Sequence, residues 1–143
     1  MIAIDADDSF QVLLQELMMF KLFLVGIGGF LGSILRYITS GFIFRILSKP
    51  YFPYGTLAVN ILGCFLIGFL SGLSENRQLF NPETRMLLFV GFLGGFTTFS
   101  TFGYEVFNFA RDGQIISSLS NLVLHIIFGI GAVWLGYSLS KII

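Results

Sequence analysis

Apolar residues occupy four long segments of the chain, which are separated by short connections rich in polar and turn-forming residues. The segments run from about Met19 to Leu47, Tyr54 to Leu73, Thr84 to Ala110 and Ile115 to Ile142. Each reaches the roughly 20 residues that an α-helix needs to cross the hydrocarbon core of a bilayer. The pattern therefore predicts an all-α membrane protein with four transmembrane helices.

The third segment contains a polar interruption at Gly94-Gly95-Phe96-Thr97-Thr98-Phe99-Ser100-Thr101-Phe102. Adjacent glycines loosen a helix, and hydroxyl side chains can bond the peptide groups that a break exposes. We therefore predict a broken helix near Gly94–Thr97, with Gly94 at the start of the break. Because such breaks persist only beside protein or a polar cavity and commonly hold ions, this segment is the candidate functional centre.

Composition agrees with a membrane protein, since only 11% of the 143 residues are charged, against about a quarter in soluble domains. Residues 19–143 are predicted to form one four-helix domain. Residues 1–18 are acidic where a signal peptide would be basic. They form an extension, either an interfacial helix or a disordered, dispensable segment. A net charge of zero gives no basic surface for nucleic acid.

Glycines at four-residue spacing predict close helix packing in three of the segments. The pairs are Gly28 with Gly32, Gly68 with Gly72, and Gly91 with Gly95.

Basic residues are almost evenly divided between the two predicted sides of the membrane. Lys21, Arg77, Arg85 and Lys141 lie on one side; Arg45, Lys49 and Arg111 lie on the other, and Arg36 is buried toward it. Because an asymmetry of Lys and Arg sets orientation, so balanced a chain can insert both ways round. Two oppositely oriented copies can pair about a two-fold axis in the membrane plane, which predicts a dual-topology antiparallel homodimer.

Several side chains in these segments suit a small anion. Asn60 is either a structural hydrogen bond between helices or a neutral donor to an anion. Phe96, Phe99 and Phe102 form either a packing stripe or a set of positive ring edges. The hydroxyls of Ser100 and of the neighbouring threonines can replace part of a hydration shell without binding the anion too tightly.

Two charged residues lie near helix interiors. Arg36 requires a partner, a carbonyl cage or a wet vestibule, and Glu105 is expected to face a vestibule or to pair with Arg36. The single cysteine, Cys64, and the single histidine, His125, are interpreted as a packing residue and an interhelical hydrogen-bonding residue. Because nucleophile, phosphate-loop and metal-ligand motifs are missing from the sequence, we do not expect an enzyme.

The chain resembles the Fluc/CrcB family of fluoride channels over nearly its whole length after about Phe20. The resemblance is carried by Gly28-Gly29-Phe30-Leu31-Gly32 with Arg36-Tyr37, by Gly55-Thr56-Leu57 with Val59-Asn60, and by residues 91–102 with Glu105. It implies a dual-topology dimer in the cell membrane that passively exports fluoride and so lowers its cytoplasmic concentration. Composition and periodicity do not identify fluoride by themselves.

The resemblance also implies roles for individual residues. The anion pore would be lined by Asn60, Phe99, Ser100, Thr101 and Phe102. A structural sodium ion would bind the backbone carbonyls of Gly94 and Thr97 from both chains, and Arg36 would face a vestibule. The fourth helix departs from the family, since Asn121 and Gly129 stand where relatives carry tyrosine and serine. Ser118 and His125 are the candidates to compensate.

Two other function classes are weighed against a fluoride channel. A small dual-topology multidrug transporter is also a four-helix antiparallel dimer, but its proton-coupled exchange needs a carboxylate within the membrane, normally in the first helix. Glu16 precedes that helix, and residues 22–47 contain no acid. An assembly factor would need the polar break only for packing, and the number of hydroxyl side chains there argues against it.

Overall fold

The computed structural model describes residues 6–47 and 51–143, and it is entirely helical apart from turns and one break. The helices are α1 (Ala6–Ile46), α2 (Tyr54–Arg77), α3 (Pro82–Arg85), a π-helix (Met86–Leu93), α4 (Gly94–Phe96), α5 (Phe99–Arg111) and α6 (Ile115–Ser140). Four helical stretches in this described part are long and apolar enough to cross a membrane. The predicted fold class is confirmed.

The first helix is longer than a bilayer requires. α1 contains 41 residues, which corresponds to about 60 Å at 1.5 Å per residue, roughly twice the thickness of the hydrocarbon core. Helical structure continues without interruption from Ala6 through the predicted extension into the first span. The placement of residues 1–18 at the membrane interface stays a prediction, and residues 1–5 lie outside the described part of the chain.

The spans pack as two close pairs that share a central contact. α2 lies along α6, α1 lies along the π-helix and α4, and α1 also contacts α2. α5 packs on α6, so the helix that follows the break is held by the fourth span. This arrangement places the break between α1, α2 and α6.

Glycines permit the close approach of α1 to the third span. A Cβ atom on Gly28 would lie 2.8 Å from the Phe92 amide nitrogen and 3.0 Å from the Gly91 Cα atom. Added Cβ atoms on Gly32, Gly68, Gly72, Gly91 and Gly95 would also meet neighbouring atoms at clashing distances. The packing predicted for the three glycine pairs is confirmed.

The break in the third span is present but begins later than predicted. Gly94 is helical, with φ −62° and ψ −37°, whereas Thr97 (φ −85°, ψ 161°) and Thr98 (φ −150°, ψ 113°) are extended. The prediction that Gly94 opens the break is therefore wrong.

Two threonine side chains account for the position of the break. The Leu93 carbonyl accepts from both the Thr97 amide at 3.0 Å and the Thr97 hydroxyl at 2.9 Å, which anchors Thr97 at the end of the first helical part. The Thr98 hydroxyl accepts from the Thr101 amide at 3.2 Å, which caps the start of α5. Gly95 serves packing instead, because a Cβ there would lie 2.9 Å from the Gly29 Cα atom.

We predict that Gly28→Ala destabilises the protein by about 1–3 kcal/mol, because the methyl group overpacks a backbone contact. Gly26→Ala is the matched control on the same helix, since nothing lies within 4 Å of its added Cβ atom. Thermal unfolding of the detergent-solubilised variants measures the difference. Equal stabilities would contradict the close contact between α1 and the third span.

Candidate functional site

The break is held open by one side chain from the second span. Asn60 Nδ2 donates to the Thr98 carbonyl at 3.0 Å, and Asn60 Oδ1 accepts from the Thr98 amide at 2.8 Å. In a continuous helix, that amide would donate to the carbonyl of Gly94. Asn60 therefore replaces the helix's own hydrogen bond, which frees the Gly94 carbonyl.

This contact supports the interpretation of Asn60 as a structural hydrogen bond between helices. It leaves open the interpretation of Asn60 as a neutral donor to an anion. A carboxamide nitrogen carries two hydrogens, and the Thr98 carbonyl accepts one of them. Asn60 also lines a cavity of about 440 Å³ beside the break. One neutral N–H donor is thus left to offer to a ligand in that cavity.

The cavity brings together most of the residues that the sequence singled out. Its walls include Asn60, Gly94, Thr97, Phe99 and Phe102, together with the fourth-helix residues His125 and Gly129. Thr101 lines a neighbouring cavity of about 290 Å³ instead. Ser100 lines neither, but its hydroxyl lies 3.3 Å from the Thr98 hydroxyl, at the rim of the same break.

Two of the phenylalanines that line the cavity, Phe99 and Phe102, meet edge to face. The ring centroids of Phe99 and Phe102 are 5.6 Å apart and their planes lie at 61°. Phe102 is buried, whereas Phe99 is 81% exposed on the single chain. Phe96 does not join them: it stacks on Phe92 with planes 3° apart, because the extended residues 97–98 interrupt the helical phase. The prediction that Phe96 forms one stripe with Phe99 and Phe102 is therefore wrong.

Arg36 finds a carbonyl partner rather than a carboxylate. Its guanidinium donates to the Thr97 carbonyl at 3.4 Å and lines the 290 Å³ cavity together with Thr56 and Thr101. In the described part of the chain, no ion pair joins Arg36 to Glu105. The alternative in which these two residues pair is therefore wrong.

Glu105 is held by neutral donors. The Thr56 hydroxyl donates to Oε1 at 2.5 Å, and Asn121 Nδ2 donates to Oε2 at 3.5 Å. Glu105 also lines a third cavity, of about 250 Å³, close to the connection between α5 and α6. Its carboxylate thus joins α2, α5 and α6 at one point.

Sequence reasoning missed the contact between Asn121 and Glu105. Asn121 is completely buried, and Ser118, Asn121, His125 and Gly129 follow each other at spacings of three and four residues. Residues at this spacing share one face of a helix. This spacing could have predicted a polar face on the fourth span, which the structure turns toward α5.

The carbonyl oxygens of Gly94 and Thr97 are of the type that binds a sodium ion. Both residues line the 440 Å³ cavity, and the Gly94 carbonyl has lost its helical partner to Asn60. Oxygen atoms of this kind suit hard monovalent cations. The Thr97 carbonyl also accepts from Arg36, so a cation there would share that oxygen with a guanidinium group.

The family model and the relatives that match this chain agree with one another. The family model described as "CrcB-like protein, Camphor Resistance (CrcB)" matches residues 23–137. A protein of Chlorobium phaeobacteroides named "Fluoride-specific ion channel FluC" is 46% identical over 125 residues, covering 85% of this chain and 93% of its own. "Fluoride-specific ion channel FluC 1" of Methanosarcina acetivorans is 47% identical over 118 residues, covering 82% and 88%.

We predict that Asn60→Ala lowers the free energy of unfolding by about 1–3 kcal/mol or more, because it leaves two peptide groups of Thr98 unpaired. Cys64→Ala, one helical turn further along α2, removes a side chain for which the structure gives no hydrogen bond and is the matched control. Thermal unfolding in detergent compares the two variants. A loss no larger than that of Cys64→Ala would contradict the anchoring role of Asn60.

Proposed function

The chain belongs to the CrcB-like family, and from this membership we propose that it is a fluoride-selective channel. It is a multi-pass membrane protein with four spanning helices in its described part, and it is a channel rather than an enzyme. Relatives named as fluoride-specific ion channels match over most of the chain. The observation that carries the proposal to this molecule is the cavity at the helix break, where the Asn60 amide and two phenylalanine rings converge.

The walls of this cavity suit a small anion that must shed water and then leave. Asn60 offers one N–H donor, and the edges of Phe99 and Phe102 carry the positive part of the ring quadrupole. Hydroxyls of Ser100 and Thr101 lie at the rim of the break. None of these groups carries a fixed charge, so the anion is stabilised without being held.

Transport through such a path is passive. In the proposed role, fluoride leaves the cytoplasm down its electrochemical gradient, which lowers the internal concentration and protects the cell. Arg36 and Glu105 line separate cavities, and we assign both residues to vestibules of the proposed channel. A cation and a carboxylate there would shape the local potential outside the neutral constriction.

A second, antiparallel copy of the chain completes the proposed channel. Phe99 is 81% exposed, and Ser100 and Thr101 are exposed beside it, although all three belong to the proposed pore. A partner chain would cover this surface and supply the other wall. The even distribution of Lys and Arg supports insertion in both orientations.

A structural sodium ion fits the centre of that dimer. Gly94 and Thr97 of each copy would contribute carbonyl oxygens, and one chain alone offers too few to enclose the ion. When bound, the ion would hold the two breaks together and balance the partial charges of the freed carbonyls. Asn60 would keep the Gly94 carbonyl available for this purpose.

We expect purified protein in liposomes to release fluoride rapidly when a potassium shunt is present, and to release chloride poorly. Ion-selective electrodes record both anions from the same preparation, and protein-free liposomes provide the background. Efflux should proceed without a pH gradient, which distinguishes a channel from a proton-coupled exchanger.

Equal rates for fluoride and chloride, or no release of either, would overturn the proposed function. Asn60→Asp should abolish fluoride release, because it places a negative charge in the path while keeping the oxygen that accepts from Thr98. Continued fluoride release by this variant would restrict Asn60 to its structural role.

Phe99→Ile should slow fluoride efflux about tenfold, which corresponds to about 1.4 kcal/mol, since it removes a ring edge that presents positive partial charge to the passing ion. Phe107→Ile on the same helix is the matched control, because Phe107 is exposed and lies outside the cavity. The mass of the assembly in detergent is measured for both variants. Normal flux through Phe99→Ile would remove the ring-edge argument at this position.

A further inference from the structure

His125 is placed in α6 with one ring nitrogen occupied. Nδ1 lies 3.0 Å from the Asn121 carbonyl oxygen, and because a carbonyl only accepts, Nδ1 must carry the hydrogen. In the neutral ring, Nε2 is then the atom with the lone pair. The backbone contact thus fixes the tautomer.

The second ring nitrogen is buried without a partner. Among residues 6–47 and 51–143, no protein group forms a hydrogen bond to Nε2 of His125. The side chain lines the 440 Å³ cavity together with Asn60 and Phe102, and its ring centroid lies 4.2 Å from that of Phe102. A polar atom that can gain a proton therefore stands beside the proposed anion path.

We propose that His125 is a ligand of the permeating anion, to which protonated Nε2 donates a charge-assisted hydrogen bond. The inference rests on the proposed function and adds a residue on the fourth helix to the path. Neutral His125 presents a lone pair, which repels an anion; the imidazolium presents an N–H and a positive charge. The anion affinity of the cavity then depends on pH.

The surrounding groups set which charges act on this ring. On α5, the carboxylate of Glu105 bonds Asn121, whose carbonyl accepts from His125. On α2, Cys64 lines the same cavity as the neutral Asn60. Arg36 points into the other cavity, at Thr97. Among these groups, Glu105 is the charged one coupled most directly to His125, through Asn121.

The direction of the pH effect follows from the protonation state. Lower pH favours protonation of an imidazole nitrogen, so acidification increases the fraction of His125 that can donate. Since a hydrogen bond from a charged donor is worth about a factor of ten in binding, fluoride efflux at sub-saturating concentration should rise up to about tenfold between pH 8 and pH 6. Chloride efflux should stay low throughout.

The single histidine of the chain allows a direct binding test. Protein labelled with 15N-histidine gives the imidazole signals of one residue, and they are recorded at fixed pH while fluoride is added. We expect fluoride to shift the Nε2 resonance toward its protonated position, while chloride at equal ionic strength leaves it unchanged. A fluoride titration without any shift would overturn the proposal.

Flux measurements test the functional consequence with matched variants. His125→Gln keeps an N–H donor but cannot titrate, so its fluoride efflux should be the same at pH 8 and pH 6 after subtraction of protein-free liposomes. Phe107→Ile, at a residue outside the cavity, should retain the pH dependence of the unmodified chain. If His125→Gln retains it and Glu105→Gln loses it, the effect belongs to Glu105 and the proposal is wrong.

The efflux measurements separate the proposed function from the role of His125. Absence of fluoride efflux from the unmodified chain at every pH overturns the proposed function. Selective fluoride efflux with no pH dependence, or with a pH dependence that His125→Gln retains, overturns only the role of His125. If His125→Gln does not fold, the 15N titration of the unmodified chain still decides.

Discussion

The two hydrogen bonds between Asn60 and Thr98 determine the rest of the site. A peptide group without a partner is costly at membrane depth, so a helix can break there only if another group takes over its bonds. Asn60 supplies an acceptor and a donor to the same residue. With both satisfied, Thr98 can adopt an extended conformation, its hydroxyl can cap α5, and the Gly94 carbonyl is freed.

Besides the contact between Asn60 and Thr98, a set of polar side chains surrounds the carboxylate of Glu105. Thr56 and Asn121 donate to its two oxygens, and Asn121 passes the connection to His125 through its backbone carbonyl. Three spans are joined in this way without a direct ion pair. Because α5 begins at the break, the same contacts also fix the direction in which Phe99 and Phe102 leave it.

Sequence reasoning predicted the features that depend on composition and local spacing. The four spans follow from hydrophobic length, and the close packing at Gly28 and Gly91 follows from small residues one turn apart. The π-helix was missed because Met86–Leu93 is apolar on every side, so its pattern carries no helical phase. The break was placed too early because glycine spacing does not distinguish flexibility from packing, and Gly95 serves packing against Gly29.

The partners of charged residues were the least predictable part of the site. Arg36 and Glu105 are the obvious pair in a chain with few internal charges, yet they bond to Thr97 and to Thr56 with Asn121. These contacts depend on the rotation of each helix about its axis, which the uniform apolar sequence around them does not encode. The resemblance to a family suggested which residues line the proposed pore. The fourth-helix contacts involve Asn121, at which this chain departs from that family.

The π-helix between Met86 and Leu93 has a consequence for how the sequence can vary over time. A π-helical hydrogen bond spans one residue more than an α-helical one, so a single deletion within this stretch can be absorbed by conversion to α-helix, with Thr98 still facing Asn60. Substitution among large apolar side chains would not disturb that contact either. The third span can therefore change its length by one residue here, within the membrane, as well as in the connections between the spans.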